Sequence, residues 1–169
     1  MENRVTQDSA DTFQNRFERA LDLHRVRPDD TDRNDASARQ PRAVSAGLLY
    51  PKLSHDIVGA AIEVHRHIGP GQLESVYQTT MVHELGLRGI AHRTQVPVEL
   101  LYKGLFVTTF RLDLVVDDRV VVELKAVDRF HPEHRAQVIS YLRATGIRLG
   151  LLINFNAPLI HRAVIRVVL

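Results

Sequence analysis

The segment RLDLVVDDRVVVELKA, residues 111–126, constrains the fold more than any other part of the sequence. Apolar residues recur at every second position on both sides of a short charged stretch: Leu112, Leu114 and Val116, then Val120, Val122 and Leu124. Burying both sets on one face of a sheet predicts an antiparallel hairpin in which residue 116 pairs with 120 and 114 with 122. Residues 117–119 then form the turn.

The same register predicts a concentration of charge on the opposite face of this hairpin. Asp113 lies across from Glu123, and Arg111 lies across from Lys125. Opposed carboxylates with Cβ atoms about 5 Å apart destabilise a sheet unless something neutralises them. A divalent cation such as Mg²⁺ would do so, because it prefers oxygen ligands and often takes one or two carboxylates. The alternative is a surface pair balanced by cross-strand salt bridges, which is ordinary on the outer face of a sheet.

The elements around the hairpin predict an α/β domain. An apolar stripe over residues 53–68, ended by Gly69-Pro70-Gly71, indicates a helix, and residues 72–85 indicate a second one. Three strands, a helix closed by Gly146 and two further strands follow, at residues 94–102, 105–116, 120–126, 132–145, 149–153 and 163–168. The order ααβββαββ predicts a central mixed sheet flanked by helices.

Residues 1–48 differ in composition from the rest of the chain. They are rich in charged and small polar residues, which predicts a disordered tail that buries little apolar surface. Phe13, Phe17 and Leu21 recur at helical spacing and predict a short helix over residues 12–24. This helix is either transient or an element that docks a partner or latches a dimer. Residues 49–169 form the predicted domain.

Composition excludes several classes of function. The chain has no cysteine, which excludes disulfides and thiolate metal sites. The nine histidines lack HExxH spacing, and no glycine-rich phosphate loop follows a strand. With no apolar run of roughly 18 residues and no signal-peptide core at the start, we expect a cytoplasmic protein without a membrane span. Residues 49–169 hold 14 basic and 11 acidic residues, a balance that permits contact with phosphate but does not indicate it.

Several motifs together resemble a known family. Asp113 followed by Glu123-Leu124-Lys125 resembles the D…ExK signature of the PD-(D/E)XK nuclease superfamily. Residues 71–77, GQLESVY, match the GxxExxY motif that names a bacterial family within it, and GAAIEVHRHIGPG and GLLINF are also similar. Residues 137–141, QVISY, are similar to the QxxxY motif of RecB-like nucleases. The resemblance covers residues 53–168 and implies a restriction-endonuclease-like core.

The resemblance implies roles for particular side chains. Asp113 and Glu123 would be the main ligands of Mg²⁺ or Mn²⁺, and Glu74 a third. The alternative for Glu74 is a solvated charge near a helix N-terminus, where the helix dipole favours it. Lys125 shares the face of Glu123 because side chains alternate along a strand, so its ammonium would orient an attacking water or stabilise the developing phosphorane charge.

Four more residues are predicted to bind substrate or support the site. Gln137 and Tyr141 share a helix face, where the family pattern places residues that buttress the lysine and meet nucleic acid. The alternative is an ordinary helix surface, with Tyr141 packing beside its neighbours. Tyr77 lies one turn after Glu74 on the same face. Glu63, one turn before His67, is either a supporting acid or a helix ion pair, and we favour the ion pair.

These observations predict a metal-dependent nuclease that hydrolyses phosphodiester bonds in nucleic acid. DNA is the expected substrate, with RNA as the alternative. A second class of function is a binding module for nucleic acid or protein that keeps the fold with little or no catalysis. A phosphatase-like hydrolase of small phosphate esters is the third. Because so small a domain has few places for sequence readout, we expect a homodimer or a protein partner to supply specificity.

Overall fold

The computed structural model describes residues 48–169. Residues Tyr50–Leu169 group as one unit. The predicted tail and its short helix over residues 12–24 lie outside the described residues, and the boundary after residue 48 stays a prediction.

Three helices, five strands and one 3₁₀ turn make up the described part of the chain. The helices are α1 (Pro51–Ile68), α2 (Glu74–Leu87) and α3 (Pro132–Thr145). The strands are β1 (His92–Tyr102), β2 (Leu105–Val116), β3 (Val120–Lys125), β4 (Leu149–Asn154) and β5 (Val164–Val168), with the 3₁₀ turn at Ile160–Arg162. Within residues 48–169, no helix has both the length and the apolar character that a bilayer crossing requires.

The strands form a single mixed sheet in the order β1-β2-β3-β4-β5. The first three strands are an antiparallel meander, β4 runs parallel to β3, and β5 is antiparallel to β4. Parallel neighbours need a crossover connection, and α3 supplies it. The predicted α/β class, a central mixed sheet with helices beside it, is confirmed.

The register of the β2–β3 hairpin agrees with the prediction near the turn and departs from it further along. Leu114 pairs with Val122 and Val116 with Val120, around a turn of residues 117–119. The ladder then ends, so Asp113 and Glu123 are not a regular cross-strand pair. Instead the Leu124 N–H donates to Asp113 Oδ2 over 2.9 Å. A side-chain oxygen has replaced the backbone acceptor at this point.

Helix α3 covers one face of the sheet at close range. A Cβ atom added at Gly150 would overlap the side chain of Val138, so the helix approaches β4 where no side chain intervenes. Gly150 pairs with Val121 and Leu152 with Glu123 in the parallel ladder. Because side chains alternate along a strand, Glu123 lies on the face that α3 covers. The alternative of a surface pair on an outer face is therefore wrong, and Glu123 is only 2% exposed.

Helices α1 and α2 supply the other apolar layer. Helix α1 begins with Pro51, which suits a first helical turn, and ends at Gly69, whose φ of 73° favours glycine. The two helices bury Ile57, Ala60, Ala61, Val64, Tyr77, Met81 and Leu85. Strands β3 and β4 are almost wholly buried, as expected for parallel neighbours covered on both faces.

The distal part of the β1–β2 hairpin, residues 100–108, has different surroundings, and we call it the arm. Lys103 and Gly104 have φ values of 50° and 85°, which close a tight two-residue turn, and a register shift lies between Leu100 and Leu101. The arm exposes large apolar side chains: Leu101, Tyr102, Leu105, Phe106 and Val107.

Candidate active site

Charged side chains from three elements meet at the carboxyl end of β3. Asp113 comes from β2, Glu123 and Lys125 from β3, and Glu74 from the first position of α2. The chain end of β3 is fixed by a hydrogen bond from the Phe155 N–H to the Lys125 carbonyl oxygen over 2.8 Å. We call Asp113, Glu123, Lys125 and Glu74 the acidic cluster.

Asp113 is partly buried and held from β3. Burial raises the pKa of its carboxyl above the usual value, while the Leu124 N–H and the charge of Lys125 act in the opposite direction. The hydrogen bond from Leu124 orients the carboxylate towards β3. Asp113 is therefore fixed in position, although burial makes its negative charge unfavourable.

Glu123 is the most buried acid of the cluster. Its Oε1 accepts a hydrogen bond from Lys125 Nζ over 2.6 Å, whereas its buried Oε2 has no hydrogen-bond partner. Burial, followed by the charge of Asp113, raises the pKa of Glu123 to about 7. An unpartnered buried carboxylate oxygen is unfavourable unless a proton or a cation reaches it. A proton shared between Glu123 and Asp113, or a cation bound by both carboxylates, would satisfy this oxygen.

Lys125 lies between two carboxylates of the cluster. Its Nζ is 2.6 Å from Glu123 Oε1 and 3.9 Å from Glu74 Oε1, and its side chain is only 12% exposed. Burial by itself lowers the pKa of this amine, but the hydrogen bond to Glu123 and the surrounding acids outweigh burial and raise it. Lys125 is accordingly a cation with ammonium hydrogens available at the cluster.

Glu74 occupies the open side of the cluster. Burial raises its pKa, Lys125 opposes this, the charge of Asp113 adds to it, and a backbone hydrogen bond from Ala126 lowers it. The structure places Glu74 Oε1 3.9 Å from Lys125 Nζ. Its role as a third metal ligand stays a prediction.

Gln137 and Tyr141 extend the cluster from α3. Gln137 Nε2 donates to Tyr141 Oη over 2.6 Å, and the Tyr141 ring packs against Phe110 with centroids 5.2 Å apart. Burial and the nearby charge of Glu123 raise the pKa of Tyr141. Tyr141 therefore packs as a core ring and also presents its hydroxyl near the carboxylates.

Tyr77 and Glu63 make their contacts elsewhere. Tyr77 is fully buried, stacks on Phe155 and donates its hydroxyl to the Gly69 carbonyl oxygen over 2.8 Å, while the Gln72 N–H donates to the same hydroxyl. It ties the α1–α2 connection to the core. Glu63 accepts from Arg66 over 2.8 Å on α1 and lies 3.4 Å from His67 Nδ1, so it makes a helix ion pair in which Arg66, rather than His67, is the nearer partner. Any role for these two in substrate binding stays a prediction.

The sequence reasoning missed three polar residues around the cluster. The Gln95 side-chain amide is close enough to Asp113 to lower the pKa of its carboxyl, and Gln78 Nε2 donates to Thr94 Oγ1 over 3.1 Å. Buried Asn154 accepts from the Val127 N–H over 3.1 Å and donates to the Val127 carbonyl oxygen over 2.6 Å, fixing the segment after Lys125. Asn154 stood out in the sequence as a polar residue at the end of an apolar strand. The two glutamines gave no such signal.

The donor set fits a divalent cation of the hard, oxygen-preferring kind. Asp113 and Glu123 are adjacent carboxylates, and Glu123 Oε2 is an unused buried acceptor. Among the described residues, no three acidic or histidine side chains converge as a ready-made metal cage. A pair of carboxylates completed by water and phosphate oxygens suits Mg²⁺, which keeps several waters when it binds to proteins.

Comparison with known protein families identifies the class to which this arrangement belongs. Residues 51–167 match the family model described as the PD-(D/E)XK nuclease superfamily, and the chain belongs to that superfamily. Searches of curated proteins and of solved structures each yield no significant match. Members of the superfamily generally use divalent metals, and membership suggests nuclease activity on a nucleic-acid substrate.

Proposed function

We propose that this protein is a metal-dependent nuclease that hydrolyses phosphodiester bonds in DNA. The observation that carries the proposal is the buried Oε2 of Glu123, which has no hydrogen-bond partner and lies in a carboxylate pair beside a buried lysine. Natural proteins rarely keep an unsatisfied buried acceptor without a reason. Because the chain belongs to a nuclease superfamily, a bound cation is the chemically specific explanation for this acceptor.

Asp113 and Glu123 are the proposed ligands of Mg²⁺, or of Mn²⁺ in its place, with Glu74 as a third. A divalent cation held by these carboxylates would supply a water of lowered pKa and draw charge from a phosphoryl oxygen. The protein contributes the fixed positions of the carboxylates. Leu124 holds Asp113 from β3, and the covering helix α3 keeps bulk water from Glu123.

Lys125 is the proposed catalytic cation. An ammonium group has three donor hydrogens, and its neighbours here are Glu123 and Glu74. A hydrogen directed to the open side of the cluster would orient the attacking water or stabilise the negative charge that develops on the phosphoryl oxygens. The raised pKa of Lys125 keeps it charged for this purpose at neutral pH.

The GxxExxY branch is the finer assignment that we propose, together with a RecB-like QxxxY helix. Each defined residue of the first motif has its own structural role in this chain. Gly71 has a φ of 90°, which favours glycine, Glu74 reaches Lys125, and Tyr77 holds the preceding turn. In the second motif Gln137 donates to Tyr141 Oη, so the Tyr141 hydroxyl hydrogen remains to be donated towards substrate or the cluster.

Sequence specificity is the part of the activity that this small domain is least equipped to supply. We propose that a second copy of the chain or a protein partner provides it. The substrate assay described next therefore uses substrates without a defined recognition site.

Calorimetric titration of Mg²⁺ and of Mn²⁺ into the protein tests the proposal, with Asp113→Asn and Glu123→Gln as variants. Wild type is expected to bind, and both variants are expected to lose most of the binding. Glu84→Gln is the matched control, because it removes a carboxylate that pairs with Arg88 near the far end of α2. Cleavage of labelled single-stranded DNA, double-stranded DNA and RNA by the metal-loaded protein then identifies the substrate. If wild type binds no metal even with DNA present, the protein is a binding module that retains the fold without catalysis.

A further inference from the structure

Gln95 has an unusual backbone conformation for a residue inside a strand. Its φ is 50°, in the left-handed region that side chains other than those of glycine, asparagine and aspartate rarely adopt. On either side of it the strand is regular, since Thr94 pairs with Leu114 and Val96 with Leu112. This register places Gln95 opposite Asp113, yet the two are not part of the ladder.

The contacts around Gln95 converge on Asp113. Gln95 lies opposite Asp113 in the register of β1 and β2, and its side-chain amide is close enough to the Asp113 carboxyl to lower the pKa of that group. From the other side, the Leu124 N–H donates to Asp113 Oδ2. Gln78 on α2 bonds to Thr94 Oγ1 and lies 3.4 Å from the Asp113 carbonyl oxygen, so both strands are held at this level. Asp113 is thus held from β1 and from β3, while Gln95 keeps a strained conformation.

Ordinary packing gives little reason for this strain. Gln95 is only partly buried, and the extended conformation of a regular strand carries no such strain for glutamine. Unfavourable backbone conformations persist where the surrounding structure fixes them, and they concentrate at functional sites. A neutral amide is also well suited to hold a ligand carboxylate, because it orients the group without neutralising the negative charge that a cation needs.

We propose that Gln95 is a positioning residue, whose left-handed backbone aims its side-chain amide at Asp113 and fixes that carboxylate in the orientation that binds the metal. This inference rests on the proposed metal site. It adds a residue outside the signature motifs, on a different strand from the cluster, and gives a purpose to a conformation that the sequence pattern does not require.

Replacement of Gln95 by glycine separates the two roles that a residue here could have. Glycine adopts a positive φ without strain, so Gln95→Gly removes the amide while keeping the backbone. We expect the melting temperature of the metal-free protein to equal or exceed that of wild type. We expect the Kd for Mn²⁺, measured by calorimetry, to rise about tenfold or more, as is typical when a partner that orients a metal ligand is removed.

Lys103→Gly is the matched control for the backbone effect. Lys103 has the same φ of 50° but lies at the tip of the arm, so the change is expected to leave the Kd for Mn²⁺ unaltered. Gln95→Asn is the conservative variant. Asparagine tolerates the left-handed region and retains an amide on a shorter side chain, so its Kd is expected to lie between those of wild type and Gln95→Gly.

Two results would overturn the inference while leaving the metal site intact. One is a Gln95→Gly protein that binds Mn²⁺ as wild type does, with Asp113→Asn still unable to bind. The other is a large drop in the melting temperature of metal-free Gln95→Gly, which would make the role of Gln95 structural. Failure of wild type itself to bind Mn²⁺ would overturn the proposed function and this inference together, and is recognised because Asp113→Asn then behaves as wild type.

Discussion

Strand β2 passes through two regions in which the same kind of sequence has opposite surroundings. Its C-terminal half lies beneath helices, where Leu114 is fully buried and Asp113 joins a cluster of charges. Its N-terminal half belongs to the arm, where Leu105 is 67% exposed. Apolar residues are frequent in both halves. The helices that cover the strand, rather than the composition of the strand, decide which residues leave water.

Removing a leucine from each half of β2 gives the largest expected contrast. Leu114→Ala should lower the free energy of unfolding by about 3 kcal/mol, because it empties a packed position in the core. Leu105→Ala should change that free energy by less than about 0.5 kcal/mol, because its side chain is mostly in water. Urea denaturation of both variants measures the difference. Equal losses would mean that another surface covers the arm in solution, a second copy of the chain being the first to test by sedimentation.

Lys125 tests whether the buried region has a chemical purpose. Lys125→Ala is expected to lower the cleavage rate at least about 100-fold, the size of effect seen when a preorganised donor to a transition state is removed. Lys52→Ala is the control, because Lys52 is an exposed lysine whose ion pair with Asp56 lies on α1. The rates are compared at saturating Mg²⁺, after circular dichroism shows that both variants are folded. Full activity in Lys125→Ala would exclude Lys125 from the chemistry.

The pH dependence of stability tests the cost of burying Glu123. Its pKa is about 7 in the folded protein against 4.5 for an ordinary glutamate, so the folded state binds the proton more tightly than the unfolded state. The stabilisation from this proton is complete below pH 4.5, declines as the pH rises towards 7 and is absent above it. Relative to Glu123→Gln, metal-free wild type should lose on the order of 3 kcal/mol over this window. If the difference in free energy of unfolding between wild type and Glu123→Gln were the same at all pH values, it would contradict the raised pKa.

The arm should give the smallest change in stability. Phe106 is 55% exposed, so Phe106→Thr, which keeps a residue suited to strands, should alter the free energy of unfolding by less than about 0.5 kcal/mol. It should also reduce concentration-dependent association, because exposed apolar hairpins favour contact between chains. Light scattering over a concentration series measures this. Unchanged scattering would show that the arm does not drive association.

Local patterns were sufficient to predict much of the fold. The alternation around Leu114 and Val122 fixed the hairpin register near its turn, and Gly69 and Gly146 marked helix ends where the structure has them. The convergence of Asp113, Glu123 and Lys125 followed from the same alternation. Their catalytic and metal-binding roles remain predictions, because neither the geometry nor the family membership measures metal binding or cleavage.

Features that depend on contacts between distant segments could not be predicted. The cover that α3 provides over Glu123 depends on the side of the sheet that the crossover helix takes, and alternation within a hairpin is silent on this. The ladder ends before Asp113 because its side chain captures the Leu124 N–H. The left-handed conformation of Gln95 also escaped notice, because glutamine carries no preference for it.

Gly150 determines how close the side chains of Gln137 and Tyr141 come to the carboxylates, although it does not contact those side chains itself. The gap between α3 and the sheet is as narrow as it is because this residue of β4 ends at its Cα, opposite Val138 and Leu142. Gln137 and Tyr141 lie on helix α3 as well, so a methyl group at position 150 would move the helix and carry the Tyr141 hydroxyl away from the carboxylates. Gly150 therefore sets the distance between α3 and the sheet although it has no functional group. The dimensions of the site depend on the absence of a Cβ atom at this position of β4.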